Sequence, residues 1–86
     1  MSNIKLEKEL KDKAILITGG SGSIGSDLVK KLLKYPVKSI RVLDINEYSM
    51  FKLKHSLNNN KIRLLLGSIL DKERLELAVD GVDFII

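Results

Sequence analysis

The sequence predicts an α/β fold: a parallel four-stranded sheet in the order 3-2-1-4, with helices on both faces. Three observations carry this. Apolar runs of strand length alternate with stretches of helical period along the chain. Three glycines, Gly19, Gly22 and Gly25, stand three apart where the first apolar run gives way to a helix. An aspartate, Asp44, closes the second apolar run.

The elements follow in order. Ile4, Leu6 and Leu10 sit among lysines and glutamates, so Asn3 to Lys11 is expected to form a short amphipathic helix within a leader of residues 1–13. Asp12-Lys13 is a turn. Ala14 to Thr18 is an apolar run ending at a glycine, as a strand buried on both faces would be. From Ser23 the period changes to Ile24, Leu28 and Leu32, widened by Val29 and Leu33, which predicts a helix with that stripe buried. Lys30, Lys31 and Lys34 suit its C-terminal dipole, and Pro36 stops it.

Ser39 to Leu43 is a second strand, closed by Asp44. Glu47 to Leu57 is a helix with Met50, Leu53 and Leu57 on one side, and Asn58 to Asn60 is a turn. Lys61 to Leu66 is a third strand whose Lys61 and Arg63 belong at a sheet edge. Asp71 is placed to cap a helix from Lys72 to Val79, and Gly81 to close it. Val82 to Ile86 is a fourth strand. Right-handed crossovers between strands so ordered give a Rossmann-type sheet, truncated at four strands.

Composition narrows the function classes. Eighty-six residues make one small domain, and 44% hydrophobic content with mixed charge is globular. With no cysteine there is neither a disulfide nor a thiolate metal site. No apolar stretch has the length of a signal core or a membrane span, so a cytoplasmic location and no membrane partner are expected. The net charge of +4 is spread along the chain without aromatic interleaving. It favours a phosphate-bearing ligand but gives no nucleic-acid platform. His55 stands alone, and Glu73 and Glu76 lie on a solvated helix face, so no metal site is expected.

The glycines point to a dinucleotide. Backbone without Cβ turns tightly and approaches a pyrophosphate closely, and the first N–H groups of the next helix face the phosphates. Gly19 is assigned the turn, Gly22 the close approach and Gly25 the packing of helix on strand. Ser21, Ser23 and Ile24 offer donors. Asp44 lies 19 residues beyond Gly25, where a carboxylate for the adenosine ribose hydroxyls is expected. An acid there favours NAD over NADP, because it accepts from a 2′-hydroxyl and repels a 2′-phosphate.

"TGGSGSIG" resembles the G-x-x-G-x-x-G motif of the extended short-chain dehydrogenase/reductases. "LDINEYSMFKLKHSL" and "GSILDKERLELAVDGVDFII" resemble the branch acting on nucleotide sugars in polysaccharide biosynthesis, the 4,6-dehydratases and epimerases of UDP-N-acetylhexosamines. The resemblance implies that residues 14–86 are a partial NAD(P)-binding Rossmann domain. It implies that Thr18, Gly19, Gly20, Ser21, Gly22, Ser23, Ile24 and Gly25 hold the pyrophosphate. Asp44 then holds the ribose with Asn46 and Glu47 nearby, and Ser68 and Ile69 flank the adenine. Ser68 departs from the aspartate usual in the family, and a serine accepts from the adenine amino group without charge.

The family's Tyr-x-x-x-Lys pair lies beyond the fourth strand, so no catalytic residue is expected in this chain, and a UDP-sugar is expected as partner only of a complete enzyme. Tyr48 and Lys52 have that spacing but follow Asp44 directly, at the adenosine end of the cofactor. The alternative is a standalone nucleotide-binding or protein-interaction module. In either case the apolar fourth strand is expected to drive self-association.

Overall fold

The structure, a computed structural model, describes residues 4–86. Its elements are α1 (Ile4–Leu10), β1 (Ala14–Thr18), α2 (Ser23–Leu32), β2 (Ser39–Asp44), α3 (Glu47–Leu57), β3 (Ile62–Leu66), α4 (Lys72–Val79) and β4 (Phe84–Ile85). The strands form one sheet in the order β3-β2-β1-β4, every neighbouring pair parallel. The expected order is thus the observed one. The first expected helix is found from Ile4, and Asn3 lies outside the described residues.

Alternation along each strand divides the core in two. Ile15 and Ile17 of β1 and Ile40 and Val42 of β2 point to one face, where Val29 and Leu32 of α2 and Met50 and Leu53 of α3 cover them. Leu16 and Leu43 point to the other, against Ala78 of α4. Crossing from one face to the other between β3 and β4 leaves β1 flanked by β2 and β4. The C-terminal end of β1 therefore opens at the point where the winding reverses, which is where open α/β sheets bind ligands.

Local chemistry sets the element ends. Asn46 caps α3 by accepting from the Ser49 N–H at 3.0 Å, and Asp71 caps α4 by accepting from the Arg74 N–H at 3.2 Å. Asn58 closes α3 in the left-handed region, φ 37°. Gly81 also has positive φ, but the residue ending α4 is Asp80, in extended conformation.

Two expectations need correcting. Ile24 is 87% exposed, not part of a buried stripe. The rest of the expected stripe is found, with Val29 and Leu32 buried and Leu28 and Leu33 packed against the core; only its first position differs, where Gly25 lets the helix lie against the loop backbone. Regular strand geometry in β4 covers only Phe84 and Ile85 of the expected Val82–Ile86. Hydrogen bonds from Asp83 N–H to Ala14 O, 2.8 Å, and from Ile86 N–H to Leu16 O, 2.8 Å, extend the pairing to Asp83 and Ile86, while the Val82 N–H turns back to Val79 O at 3.0 Å.

Candidate functional site

Three parallel strands end side by side, and their loops build the site. β1 leads into residues 19–22, β2 ends at Asp44, and β3 leads into Ser68 and Ile69. A shallow cleft of about 330 Å³ runs between them, lined by Thr18, Gly19, Asp44, Ile45, Ser68 and Ile69, with Gly67 at its floor. Five of those residues are sequence-predicted ones brought together from three separate segments. Ile45 adds an apolar side chain to the lining, 71% exposed, with Ile69 at 58%.

The glycines divide their work as their spacing predicts. Gly19 has φ 68°, the left-handed turn that a side chain resists. Gly22 has open space around it, with only Gly19 O as near as 3.9 Å to where a Cβ would stand. It is also the N-cap of α2 and supplies no side-chain cap. No side chain therefore caps the amides of the first turn, and uncapped first-turn amides are an arrangement able to receive phosphate. At Gly25 a Cβ would stand 2.4 Å from Gly20 Cα, so the close packing of helix on loop depends on its absence. Gly20 is buried, and a Cβ there would meet Ile17 Cγ2 at 2.7 Å and Val42 Cγ1 at 2.9 Å. That packing role went unread, although the Gly19-Gly20 doublet was its signal.

Ser23 and Ile24 stand exposed on the first turn of α2. Ser21 differs from expectation. It is buried, its hydroxyl donates to Asp44 Oδ2, and its own N–H reaches the same oxygen at 3.3 Å. Its side chain is thus committed to the acid rather than turned to a phosphate. The other carboxylate oxygen of Asp44 accepts from the Asn46 N–H at 3.0 Å. Burial pushes the Asp44 carboxyl up, but the Ser21 hydroxyl and the N–H groups of Asn46, Ser21 and Ile45 outweigh it, and the net direction is down. Asp44 is therefore a carboxylate at neutral pH, with lone pairs left for a hydroxyl donor. The Ser68 hydroxyl accepts from the Leu70 N–H at 3.0 Å and shapes the turn after β3.

Tyr48 and Lys52 lie one turn apart on α3, and Lys52 lines a second cleft with Ser21, Gly22 and Ser23. The ammonium sits 5.5 Å from the ring centroid, a cation–π contact. Tyr48 is 70% exposed and does not line the cleft. His55 packs beside Phe51 on the same helix, ring centroids 4.3 Å apart. Among the described residues no cluster of His, Cys, Asp or Glu is placed to hold a metal ion, and no helix is long and apolar enough to cross a membrane.

Comparison with known proteins agrees with this geometry. Residues 15–86 match the family model described as polysaccharide biosynthesis protein. An uncharacterized membrane protein of Methanocaldococcus jannaschii is 56% identical over 75 residues, 87% of this chain and 22% of its own length. A UDP-N-acetylglucosamine 4,6-dehydratase (inverting) of Campylobacter jejuni is 41% identical over 75 residues, 86% of this chain and 22% of its own. Among solved structures, the Bordetella bronchiseptica enzyme WbmF in complex with NAD+ superposes with a TM-score of 0.72 at 26% identity, covering 90% of this chain and 23% of that one. The chain thus spans under a quarter of the length of the curated relatives it matches. It belongs to the polysaccharide biosynthesis family.

Proposed function

We propose that this chain is the dinucleotide-holding part of an enzyme that dehydrates or epimerises a UDP-N-acetylhexosamine, and that it takes NAD in preference to NADP. The observation that carries the reading is the uncapped N-terminus of α2, joined through Ser21 to an ionised Asp44. The residues fit such a cofactor. Gly22 leaves the space a pyrophosphate needs, and the first-turn amides supply donors. Asp44 accepts from the ribose, and Ile45 and Ile69 form apolar walls for an adenine, with Ser68 between them. The chemistry such a cofactor supplies is reversible hydride acceptance from a sugar carbon.

The preference for NAD follows from charge. A 2′-phosphate would bring about two negative charges to a carboxylate. Arg41, the cation nearest in sequence, is spent elsewhere: its guanidinium donates to Ala78 O at 3.1 Å and Leu77 O at 3.3 Å, at the end of α4. Calorimetric titration of the chain with NAD and with NADP tests the proposal. NAD binding the tighter of the two is expected, and tighter binding of NADP overturns the preference. The proposal extends to association: the free edge of β4 pairs with a second copy of the chain.

A further inference from the structure

Ser21 is the one polar residue in the buried set, 8% exposed, among the described residues. A buried hydroxyl costs free energy unless it is hydrogen-bonded. Here its partner is Asp44, 23 positions away, on the neighbouring strand. The backbone N–H of Ser21 adds a second bond to the same oxygen, and the Asn46 N–H holds the other oxygen. Asn46 in turn caps α3. One run of hydrogen bonds therefore joins the glycine loop, the end of β2 and the start of α3, with the carboxylate at its centre.

We propose that Ser21 is a positioning residue that latches the glycine loop to Asp44 and so sets the preference of the site for an unphosphorylated adenosine ribose. The proposal rests on the reading of the cleft as a dinucleotide site. A 2′-hydroxyl needs an acceptor already in place, and a carboxylate gripped through both oxygens is one. A 2′-phosphate needs that carboxylate to swing away. Swinging it away breaks both bonds from Ser21 and leaves a buried hydroxyl without a partner, a cost added to the charge repulsion. The latch also fixes the loop whose amides receive the pyrophosphate. With it the binding-competent arrangement is the populated one, and without it apparent affinity falls by the competent fraction.

If Asp44 discriminates by charge alone, the Ser21 hydroxyl is irrelevant to selectivity, and this separates the two accounts. The chain and its Ser21→Ala and Ser21→Thr variants are titrated with NAD and NADP by calorimetry. The expected result is a fall of about tenfold in the NAD-to-NADP affinity ratio for Ser21→Ala, because NAD loses its fixed acceptor while NADP no longer has a latch to break, with the ratio recovered in Ser21→Thr. An unchanged ratio in a folded Ser21→Ala chain that binds NAD overturns the latch and leaves the dinucleotide reading standing. A second readout needs no ligand and no variant. The Asp44 side-chain carboxyl carbon, followed by NMR in the wild-type chain, is expected to titrate below the ordinary aspartate value; a midpoint at or above that value overturns the latch. A wild-type chain that binds neither dinucleotide overturns the reading of the site and the selectivity drawn from it, whatever the carboxyl titration shows.

Discussion

Gly25 and Gly20 face each other across the turn of α2 onto its loop, and the atoms each would strike decide how each tolerates a methyl group. A Cβ on Gly25 would stand 2.4 Å from Gly20 Cα and 2.9 Å from Gly19 O, which are backbone atoms with nowhere to go. Gly25→Ala is expected to cost at least about 3 kcal/mol in urea denaturation, because helix and loop must separate. A Cβ on Gly20 would meet the buried side chains of Ile17 and Val42 rather than backbone, so Gly20→Ala is expected to cost less, about 1–3 kcal/mol. Equal costs would show that the loop yields as readily as the side chains. Asp44 gives a pH signature. Its carboxyl titrates below its ordinary value in the folded chain, so its contribution to stability is complete above about pH 4 and is lost as pH falls through the folded value. The stability gap between wild type and Asp44→Asn is therefore expected to be constant at neutral pH and to narrow on acidification. A gap that widens would reverse the sign. Asp44 and the glycines were legible because their spacing within one βαβ unit is itself the signal. The commitment of Ser21 was not, because a hydrogen bond across 23 positions leaves no local pattern.

At the scale of elements, sequence periodicity places every strand and helix in order, and it errs where two elements must share space. The buried line of α2 leaves out Ile24 because its first turn packs on glycine backbone rather than on strand side chains. α4 shows a second kind of dependence. Its last turn holds no basic residue, so the carbonyls there lack a local cation. Arg41 supplies one from β2, donating to Leu77 O, Ala78 O and Asp80 O through a single guanidinium nitrogen. The register explains the reach: Arg41 pairs with Leu16, which faces the same side of the sheet as α4. Arg41→Met keeps the stem and removes the donors, and is expected to destabilise the chain by about 1–2 kcal/mol. Thermal unfolding measures that, and NAD affinity is expected to stay as in wild type, because α4 ends near the start of the strands and the cleft lies at their other end. A loss of affinity with unchanged stability would place Arg41 in the site instead. The missing cation in α4 was visible in the sequence; the strand that provides it was not.

At the scale of the molecule, the two faces of the sheet are unequally covered. Ten buried hydrophobic residues form the core under α1, α2 and α3, and three form the one under α4, so the second face is thinly closed. The imbalance is greatest at β4. Ile85 is 62% and Ile86 55% exposed, Phe84 is 43% exposed, and Leu77 of α4 is 61% exposed nearby in sequence. β4 pairs with β1 alone, so its outer edge presents N–H and C=O groups with no strand beside them among the described residues. Natural sheets guard such edges with charge, proline or a bulge. Here Asp83 is the one charge, and its carboxylate is turned inward to accept from the Ala14 N–H at 2.9 Å. Burying three large apolar side chains gains roughly 1.5–3 kcal/mol each, against a total stability of about 5–15 kcal/mol for a domain. A second copy offers both an apolar surface and a complementary edge, and pairing two identical edges closes the contact as a symmetric dimer. Light scattering of the 86-residue chain is expected to give a mass above the monomer that falls to the monomer in Phe84→Lys. That substitution puts a charge on the edge without touching the cleft, so NAD affinity is expected to survive it. A wild-type chain that stays monomeric at high concentration, with Phe84→Lys indistinguishable from it, would mean that the side chains of β4 and α4 close this edge without a partner.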